Sequence, residues 1–350
     1  MLKMNRVAVV SFTDKGSFLN RKLGRNLMRA GYTCMCAAPE KYSAKYGIDT
    51  LSHDYIKWIG GIFTKYDILL FIGAAGIAVR GIAPYIKDKF SDPAVVVLDE
   101  NETYVIPILS GHIGGANAFA ELVSELTGAA AVITTATDIN NKFAVDIFAV
   151  KNNLKIIQRC MIRRISSAVL SNEKVSVYCD KPLNGKLPAG IVKSGKGKTG
   201  FSISVYKNAA EFENTLNLVP AKIHIGIGCR KGVSEGAVEE AINNFLDSAD
   251  VFEEAVCCVS TINIKYGERG IIDCCSKKGW PITYYSADNL SRAKGEFASS
   301  DFVKTVTGID NVCERAAVLS SNGGRLILGK TKYNGVTLAA ACEEWSVDFG

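Results

Sequence analysis

Residues 94–109, AVVVLDENETYVIPIL, hold two short apolar runs separated by Asp99-Glu100-Asn101-Glu102. The separating residues are acidic or turn-forming and leave no room for a helix, so the two runs predict a β-hairpin. An antiparallel pair at this point makes the surrounding sheet mixed. The hairpin therefore decides on which side of the sheet every later motif lies.

Outward from the hairpin, apolar runs of strand length alternate with segments of helical spacing. The strand-like runs are residues 6–12, 66–72, 94–98, 103–109 and 130–134, and the helical segments are 18–30, 54–63, 75–86 and 115–127. This alternation predicts an N-terminal three-layer α/β domain with a mixed sheet over residues 1–143. A variable middle segment, 144–220, includes a Gly-, Lys- and Pro-rich stretch typical of turns. A second α/β pattern then predicts a C-terminal α/β domain over residues 221–350.

Composition narrows the class of protein. The chain has 350 residues, with 41 Lys and Arg against 35 Asp and Glu, and its first apolar run stops at Thr13, too early for a signal peptide. No apolar stretch approaches the ~18 residues of a membrane span. We therefore expect a cytoplasmic protein with no membrane partner. The small net positive charge would favour a small anionic ligand. The sequence has no concentrated stripe of basic residues with interleaved aromatics, which argues against a nucleic-acid partner.

The eleven cysteines are expected to be reduced, because the chain is large and carries no export signal. No pair has CxxC spacing and there are three histidines, so local spacing predicts no metal site.

The first candidate motif is Gly73-Ala74-Ala75-Gly76, between a strand-like run and a helix that carries Arg80. Small residues let a ligand approach the backbone, helix-start amides favour negative charge, and a guanidinium can bind a carboxylate. Tight packing of a strand-to-helix turn explains the glycines equally well.

The most specific run is Ser110-Gly111-His112-Ile113-Gly114-Gly115-Ala116-Asn117. Glycines around one histidine leave the imidazole accessible and the amides open, which suits a general acid or base beside an oxyanion. A capping or structural histidine is the alternative. Farther along, Thr134, Thr135 and Asp138 offer hydroxyls and a carboxylate to polar groups, although helix or turn capping would use the same residues.

Topology predicts two separate sites in this domain. A right-handed crossover puts Asp99 on the same side of the sheet as Gly73. The hairpin reversal then carries His112 to the opposite side, with Asp138 and the DKFSDP loop, residues 88–93, beside it.

In the C-terminal domain, residues 226–232, GIGCRKG, follow a strand-like run and precede a helix. The spacing is not GxGxxG, so a dinucleotide site has weak support, while anion binding at Gly226, Gly228 and Arg230 stays open. Lys265 and Glu268 suit either an ion pair or contacts to a ligand.

Together, residues 76–100, SGHIGGANAFA (110–120), TTATD (134–138), GIGCRKG and KYGERG (265–270) resemble the cobalt-precorrin-5A hydrolase family in identity and order. The resemblance covers nearly the whole chain, and the C-terminal domain itself resembles a small protein of aerobic cobalamin synthesis. One departure is Arg315, which stands where the family usually has proline, so no ligand contact is transferred to residues 313–318.

The resemblance implies a hydrolase of anaerobic cobalamin biosynthesis. Such an enzyme opens the ring A lactone of an anionic cobalt-containing tetrapyrrole, cobalt-precorrin-5A, and releases acetaldehyde to give cobalt-precorrin-5B. Because the substrate carries the cobalt, no separate cofactor is expected. A homodimer is left open.

Within that reaction, our hypothesis makes His112 the principal acid or base and Asp138 the group that orients it or a water. Amides of Ser110 to Gly115 hold the oxyanion, and Arg80, Lys89 and Arg230 bind peripheral carboxylates. The other substrate-binding predictions are Gly73, Gly76, Asp99, Ser110, Gly111, Gly114, Gly115, Asn117, Thr134, Thr135, Gly226, Gly228, Lys265 and Glu268.

Two alternatives belong to other classes. The same loops would also serve a non-catalytic corrinoid carrier or scaffold of the pathway, which tight binding without turnover would reveal. A nucleotide-dependent oxidoreductase is the third reading, and it requires a nucleotide effect on stability.

Overall fold

The computed structural model describes residues 5–88, 91–112, 114–135, 140 and 142–350. The chain divides into two compact units, Met1–Ile147 and Phe148–Gly350. Our division into three domains, with boundaries after residues 143 and 220, stays a prediction. No helix in the described ranges has both the length and the apolar character that crossing a bilayer requires.

The first unit is built on a seven-stranded sheet of order β3-β2-β1-β4-β5-β6-β7. Its strands are β1 (Arg6–Ser11), β2 (Thr33–Pro39), β3 (Asp49–Leu51), β4 (Ile68–Ile72), β5 (Ala94–Leu98), β6 (Tyr104–Leu109) and β7 (Ala130–Ala131). Its helices are α1 (Asp14–Arg29), α2 (Glu40–Tyr46), α3 (Tyr55–Phe63), α4 (Ala75–Ile82) and α5 (Ala116–Thr127), and α6 (Val145–Lys151) crosses into the second unit.

Helices cover both faces of this sheet. On β1, Val7 and Val9 belong to one core cluster with Leu23 of α1 and Phe119 of α5. Their neighbours Ala8 and Val10 belong to a second cluster with residues of α3 and α4. Successive strand residues point to opposite faces, so the two clusters are the two sides of one sheet. The predicted three-layer α/β architecture is confirmed.

The predicted hairpin is confirmed as well. Strands β5 and β6 pair antiparallel, with Leu98 opposite Val105, whereas the other neighbouring pairs of the sheet are parallel. The Asp99 carboxylate holds the turn by accepting the backbone N–H groups of Asn101 at 2.8 Å and Thr103 at 2.9 Å. Strands β1, β4 and β5 therefore end on one side of the sheet, called the Gly73 side, and β6 ends on the opposite side, called the His112 side.

The second unit contains two five-stranded sheets, of orders β11-β9-β12-β13-β8 and β16-β15-β14-β18-β17, and the pair β10-β19. The strands of the first sheet and the pair are β8 (Leu154–Ile156), β9 (Val175–Cys179), β10 (Leu183–Asn184), β11 (Ile191–Lys193), β12 (Lys196–Ile203), β13 (Glu211–Pro220) and β19 (Val347–Asp348). The second sheet has β14 (Ile223–Cys229), β15 (Val256–Ile262), β16 (Ile282–Tyr285), β17 (Arg325–Tyr333) and β18 (Val336–Cys342).

The helices of this unit are α7 (Met161–Leu170), α8 (Glu235–Asp247), α9 (Arg269–Lys278), α10 (Ala287–Ser291), α11 (Asp301–Thr307) and α12 (Cys313–Ser320). Helix α12 lies against β14 so closely that a Cβ atom on Gly226 would sit 1.7 Å from the Cys313 carbonyl oxygen. Glycine at this position is thus required by helix packing.

Candidate functional site

The Ser110–Asn117 loop connects β6 to α5 on the His112 side of the sheet. Ser110 has a φ of 55° and Gly115 a φ of 77°, so the chain turns sharply at both ends of the loop. A Cβ atom on Gly114 would lie 2.2 Å from that of Ser110, and one on Gly111 would lie 2.7 Å from Asn117 Oδ1. The glycines are therefore required by the close folding of the loop.

Backbone hydrogen bonds fix the loop from within. The Gly115 N–H donates to the His112 carbonyl at 2.9 Å, and the Asn117 N–H donates to the Gly111 carbonyl at 3.0 Å. Within the described ranges, the amides of Gly111 and Gly114 donate to no acceptor. Of the amides predicted to hold an oxyanion, that of Gly115 is committed to the turn, and those of Gly111 and Gly114 are the better candidates.

His112 faces a carboxylate that the sequence analysis missed. Its Nδ1 lies 3.4 Å from Oδ2 of Asp146, and the two side chains are only 14% and 7% exposed. Asp146 lies in the first turn of α6. A buried carboxylate beside Nδ1 can hold the imidazole ring in one orientation, as the carboxylate of a catalytic triad does. The orienting role had been given to Asp138, which lies outside the described residues.

Asp92 secures the loop that precedes β5 and is itself 7% exposed. Its Oδ2 accepts the backbone N–H groups of Lys87 and Asp88, both at 2.9 Å. The Ser110 hydroxyl donates to the Asp92 carbonyl at 3.1 Å. Asp92, in the described part of the DKFSDP loop, therefore lies beside Ser110, on the side of the sheet that the topology predicted. The predicted ligand Lys89 lies outside the described residues.

Asn117 connects the glycine loop to the chain that follows β7. Its Nδ2 donates to Thr135 Oγ1 at 3.1 Å, and Thr134 beside it is exposed. These two threonines, Asn117 and Ser110 therefore lie on the same side of the sheet as His112.

The other predicted residues of this unit lie on the Gly73 side. The Gly73 N–H donates to the Leu98 carbonyl at 2.9 Å. Arg80 is exposed, and its Nη1 lies 3.8 Å from the place of a Cβ on Gly76. Three backbone amides occupy the Asp99 carboxylate. Gly73, Gly76, Arg80 and Asp99 are thus separated from His112, and Asp99 has a turn-stabilising role.

In the second unit, Gly226 to Cys229 form the end of β14, so the predicted segment does not follow the strand but begins inside it. The structure gives the residues of the Gly226–Gly232 segment different surroundings. Gly226 is buried beneath α12, which gives it a packing role in place of the predicted contact with substrate, whereas a Cβ on Gly228 would meet no atom within 4 Å. Arg230 is exposed. Burial raises the pKa of the Cys229 thiol, which makes that thiol a poor nucleophile.

Lys265 and Glu268 form an ion pair at this loop. Lys265 Nζ lies 3.3 Å from Glu268 Oε2, and the side chains are 18% and 9% exposed. Glu268 Oε1 also accepts the Gly232 N–H at 2.7 Å. The sequence left open whether these two residues form an ion pair or contact a ligand. The observed contacts favour the ion pair.

Arg315, the departure from the family pattern, is held within its own unit. Its guanidinium lies 3.0 Å from Asp310 and stacks over the Phe297 ring at 4.6 Å. The neighbouring Glu314 is 4% exposed and accepts the N–H groups of Ala298 and Lys330, both at 2.7 Å. Both side chains stabilise the surroundings of α12.

Three family models match successive parts of the chain. They are Cobalamin synthesis G N-terminal over residues 57–138, Cobalamin biosynthesis central region over 143–220, and Cobalamin synthesis G C-terminus over 223–341. The gaps between successive matches are short, residues 1–56 and 342–350 are unmatched, and the three matches together cover most of the sequence.

Similar proteins include two full-length relatives, each named cobalt-precorrin-5A hydrolase. That of Salmonella typhimurium is 34% identical over 96% of this chain and 97% of its own length. That of Priestia megaterium is 31% identical over 95% of this chain and 94% of its own. Among solved structures, CobE, a protein of the cobalamin pathway, is 23% identical over 35% of this chain and 91% of its own, with a TM-score of 0.33.

Proposed function

The chain belongs to the cobalamin synthesis G family, and from this premise we propose that it is a cobalt-precorrin-5A hydrolase. In this proposal it opens the ring A lactone and releases acetaldehyde, which leaves cobalt-precorrin-5B. The observation that supports a catalytic site most directly is His112 in a glycine loop, with Nδ1 beside the buried Asp146 carboxylate.

Lactone opening needs a base, an acid and a place for negative charge. His112 Nε2 takes a proton from water as the water oxygen attacks the lactone carbonyl carbon. The amides of Gly111 and Gly114 stabilise the oxyanion, and Asp146 stabilises the imidazolium. When the ring C–O bond breaks, the leaving oxygen takes the proton and becomes a hydroxyl, and the other product is the ring A acetate.

Loss of acetaldehyde follows as a retro-aldol step. A base removes the proton of the new hydroxyl, the C=O bond of acetaldehyde forms, and the bond to the macrocycle breaks. The electron pair passes into the macrocycle, which then takes up a proton. We propose that His112 is the base and the acid in this step as in the first. Neither step transfers electrons to an outside acceptor, so we propose no redox cofactor, and the cobalt enters with the substrate.

Two parts of the hypothesis rest on sequence alone. We propose that Asp138 assists in orienting His112 or the attacking water. We also propose that Lys89 and Arg230 bind carboxylates at the rim of the anionic tetrapyrrole. Arg80 lies on the Gly73 side of the sheet, away from His112, so we do not propose that it binds the substrate beside the lactone. The proposed setting is the cytoplasm.

The deciding experiment is an anaerobic incubation of the purified chain with cobalt-precorrin-5A. We expect stoichiometric acetaldehyde and a product whose mass reflects addition of water and loss of acetaldehyde. An incubation without enzyme measures spontaneous lactone opening. Tight binding of the substrate with no acetaldehyde above this background would overturn the enzyme proposal and favour a corrinoid carrier.

A further inference from the structure

Strand β15 contains an irregularity that brings two cysteines together. Ile223 pairs with Val256, but the next residue of β14, His224, pairs with Cys258, so Cys257 is an extra residue on β15. Adjacent residues of a regular strand point to opposite faces, and a bulge of one residue removes that alternation. The bulge therefore allows the two neighbouring thiols to approach the same imidazole.

The three side chains form a compact donor set. One ligand atom each from His224, Cys257 and Cys258 lies within 4.8 Å of the other two. His224 Nδ1 and Cys258 Sγ are 3.2 Å apart. A tetrahedral zinc ion, with Zn–S of about 2.3 Å and Zn–N of about 2.0–2.1 Å, separates its ligand atoms by roughly 3.5–3.8 Å. The 3.2 Å pair is slightly closer than this spacing, and the 4.8 Å limit on the other pairs exceeds it by about 1 Å, so side-chain shifts of at most about that size would fit such an ion.

The other nitrogen of His224 faces a carboxylate. His224 Nε2 is buried and makes no hydrogen bond to any residue that the structure describes, and Glu343 Oε2 lies 3.8 Å from it. A small movement of Glu343 would let Nε2–H donate to that oxygen, which leaves Nδ1 unprotonated and able to bind a metal. Histidine ligands in metal sites usually have such a carboxylate partner. Lys222, 3.0 Å from Glu343, holds the carboxylate in place.

We propose that His224, Cys257 and Cys258 bind one soft divalent cation, such as Zn²⁺. Two thiolates and one imidazole are a donor set used in zinc enzymes that keep a fourth position for water or a small ligand. Binding releases the two thiol protons to solvent, and the two thiolates balance the charge of the cation.

This cation site is separate from the loops considered above. His224 and Cys258 lie near the starts of β14 and β15, whereas Gly228 lies near the end of β14, and Arg230 and Lys265 follow the ends of the two strands. Sequence spacing did not predict this cluster, because His224 is far from both cysteines in the chain. The expectation of no metal site rested on local spacing and does not exclude ligands that the sheet brings together.

Cobalt(II) titration of the full-length, reduced chain tests the proposal without substrate. We expect one Co²⁺ per chain, with a thiolate-to-cobalt charge-transfer band and the strong visible bands of tetrahedral geometry, all removed by added Zn²⁺. Cys258→Ser should abolish the charge-transfer band or weaken binding strongly. Cys160→Ser, at an exposed cysteine, should bind as the parent does. Parent-like bands in Cys258→Ser would overturn the proposal.

Two further measurements test the proposal even if Cys258→Ser does not fold. Glu343→Gln should fold and bind Co²⁺ about 10- to 100-fold more weakly, as changes to the partner of a ligand usually do. In the unmodified chain, Zn²⁺ should protect Cys257 and Cys258, but not Cys160, from alkylation followed by peptide mass spectrometry. Equal alkylation with and without Zn²⁺, or a Cys257–Cys258 disulfide that persists in reductant, would contradict a metal site. Because no assay uses the tetrapyrrole, the result is independent of the proposed hydrolase activity.

Discussion

The Ser110–Asn117 loop and the Gly226–Gly232 segment, called the second loop although its first four residues belong to β14, both precede a helix and contain several glycines, but those glycines serve different purposes. In the first loop, Gly111 and Gly114 prevent clashes within the loop itself and bring His112 toward a buried carboxylate. In the second, Gly226 makes room for a helix from another part of the chain. Similar glycine patterns therefore fold a candidate active site in one unit and pack a helix in the other.

We expect the largest difference between the two loops to be a loss of activity in His112→Ala. Loss of the acid or base should lower the rate of acetaldehyde release roughly 10²- to 10⁴-fold, as is usual for such groups. His53→Ala, at an exposed histidine, is the matched control and should keep the parent rate. Circular dichroism of both variants checks the fold. Full activity in His112→Ala would remove the first loop from the mechanism.

Asp146→Asn should have a smaller effect on the same reaction. Loss of an interaction with a charged group costs about 1.5–3 kcal/mol, or roughly 10- to 150-fold in kcat. KM should change little, because Asp146 acts through His112. The double variant with His112→Ala should be no slower than His112→Ala alone, since residues that act as a unit are not additive. Additive losses would show that Asp146 acts elsewhere.

Gly226→Ala tests the packing role of the second loop. The new methyl group would overlap the Cys313 carbonyl oxygen, so α12 must move away from β14. We expect a loss of about 1–3 kcal/mol in the free energy of unfolding, the usual range for overpacking. Chemical denaturation measures it. An unchanged midpoint would mean that the helix adjusts freely, and the contrast between the loops would fail.

Gly228→Ala should have the smallest effect. A Cβ atom there meets nothing within 4 Å, and surface changes of this kind usually stay within about 0.5 kcal/mol. The same denaturation measurement serves as the control for Gly226→Ala. If substrate nevertheless binds more weakly to Gly228→Ala, the open face of this loop contacts the tetrapyrrole, and the second loop has a binding role after all.

Much of the fold of the first unit could be predicted because its signals are local. The turn residues around Asn101 predicted the hairpin, and apolar runs predicted the strands. Strand β7 is shorter than predicted, Ala130–Ala131 in place of 130–134. Its neighbour β6 contains Pro107, which has no N–H to extend the ladder. Helix α4 ends at Ile82, before the predicted residue 86, because Pro84 follows.

The candidate site was less predictable because its contacts join distant residues. The loop and His112 were evident from the glycine pattern. The role of Asp146 was not evident, because acidic residues are common in the first turn of a helix, where they stabilise the helix dipole. The packing role of Gly226 depends on a carbonyl of α12, and the approach of Cys257 and Cys258 to His224 depends on a bulge. None of these leaves a periodic signal in the sequence.

The short border strands of the first unit have a consequence for how copies of the chain could associate. Strand β3 spans Asp49–Leu51 and β7 spans Ala130–Ala131, so each border offers only a few unpaired backbone groups. Short edge strands are one way in which proteins avoid joining sheets with their neighbours. A homodimer that used this unit would thus have to meet through helical surfaces, and the sheet itself is protected against fibre-like growth at high concentration.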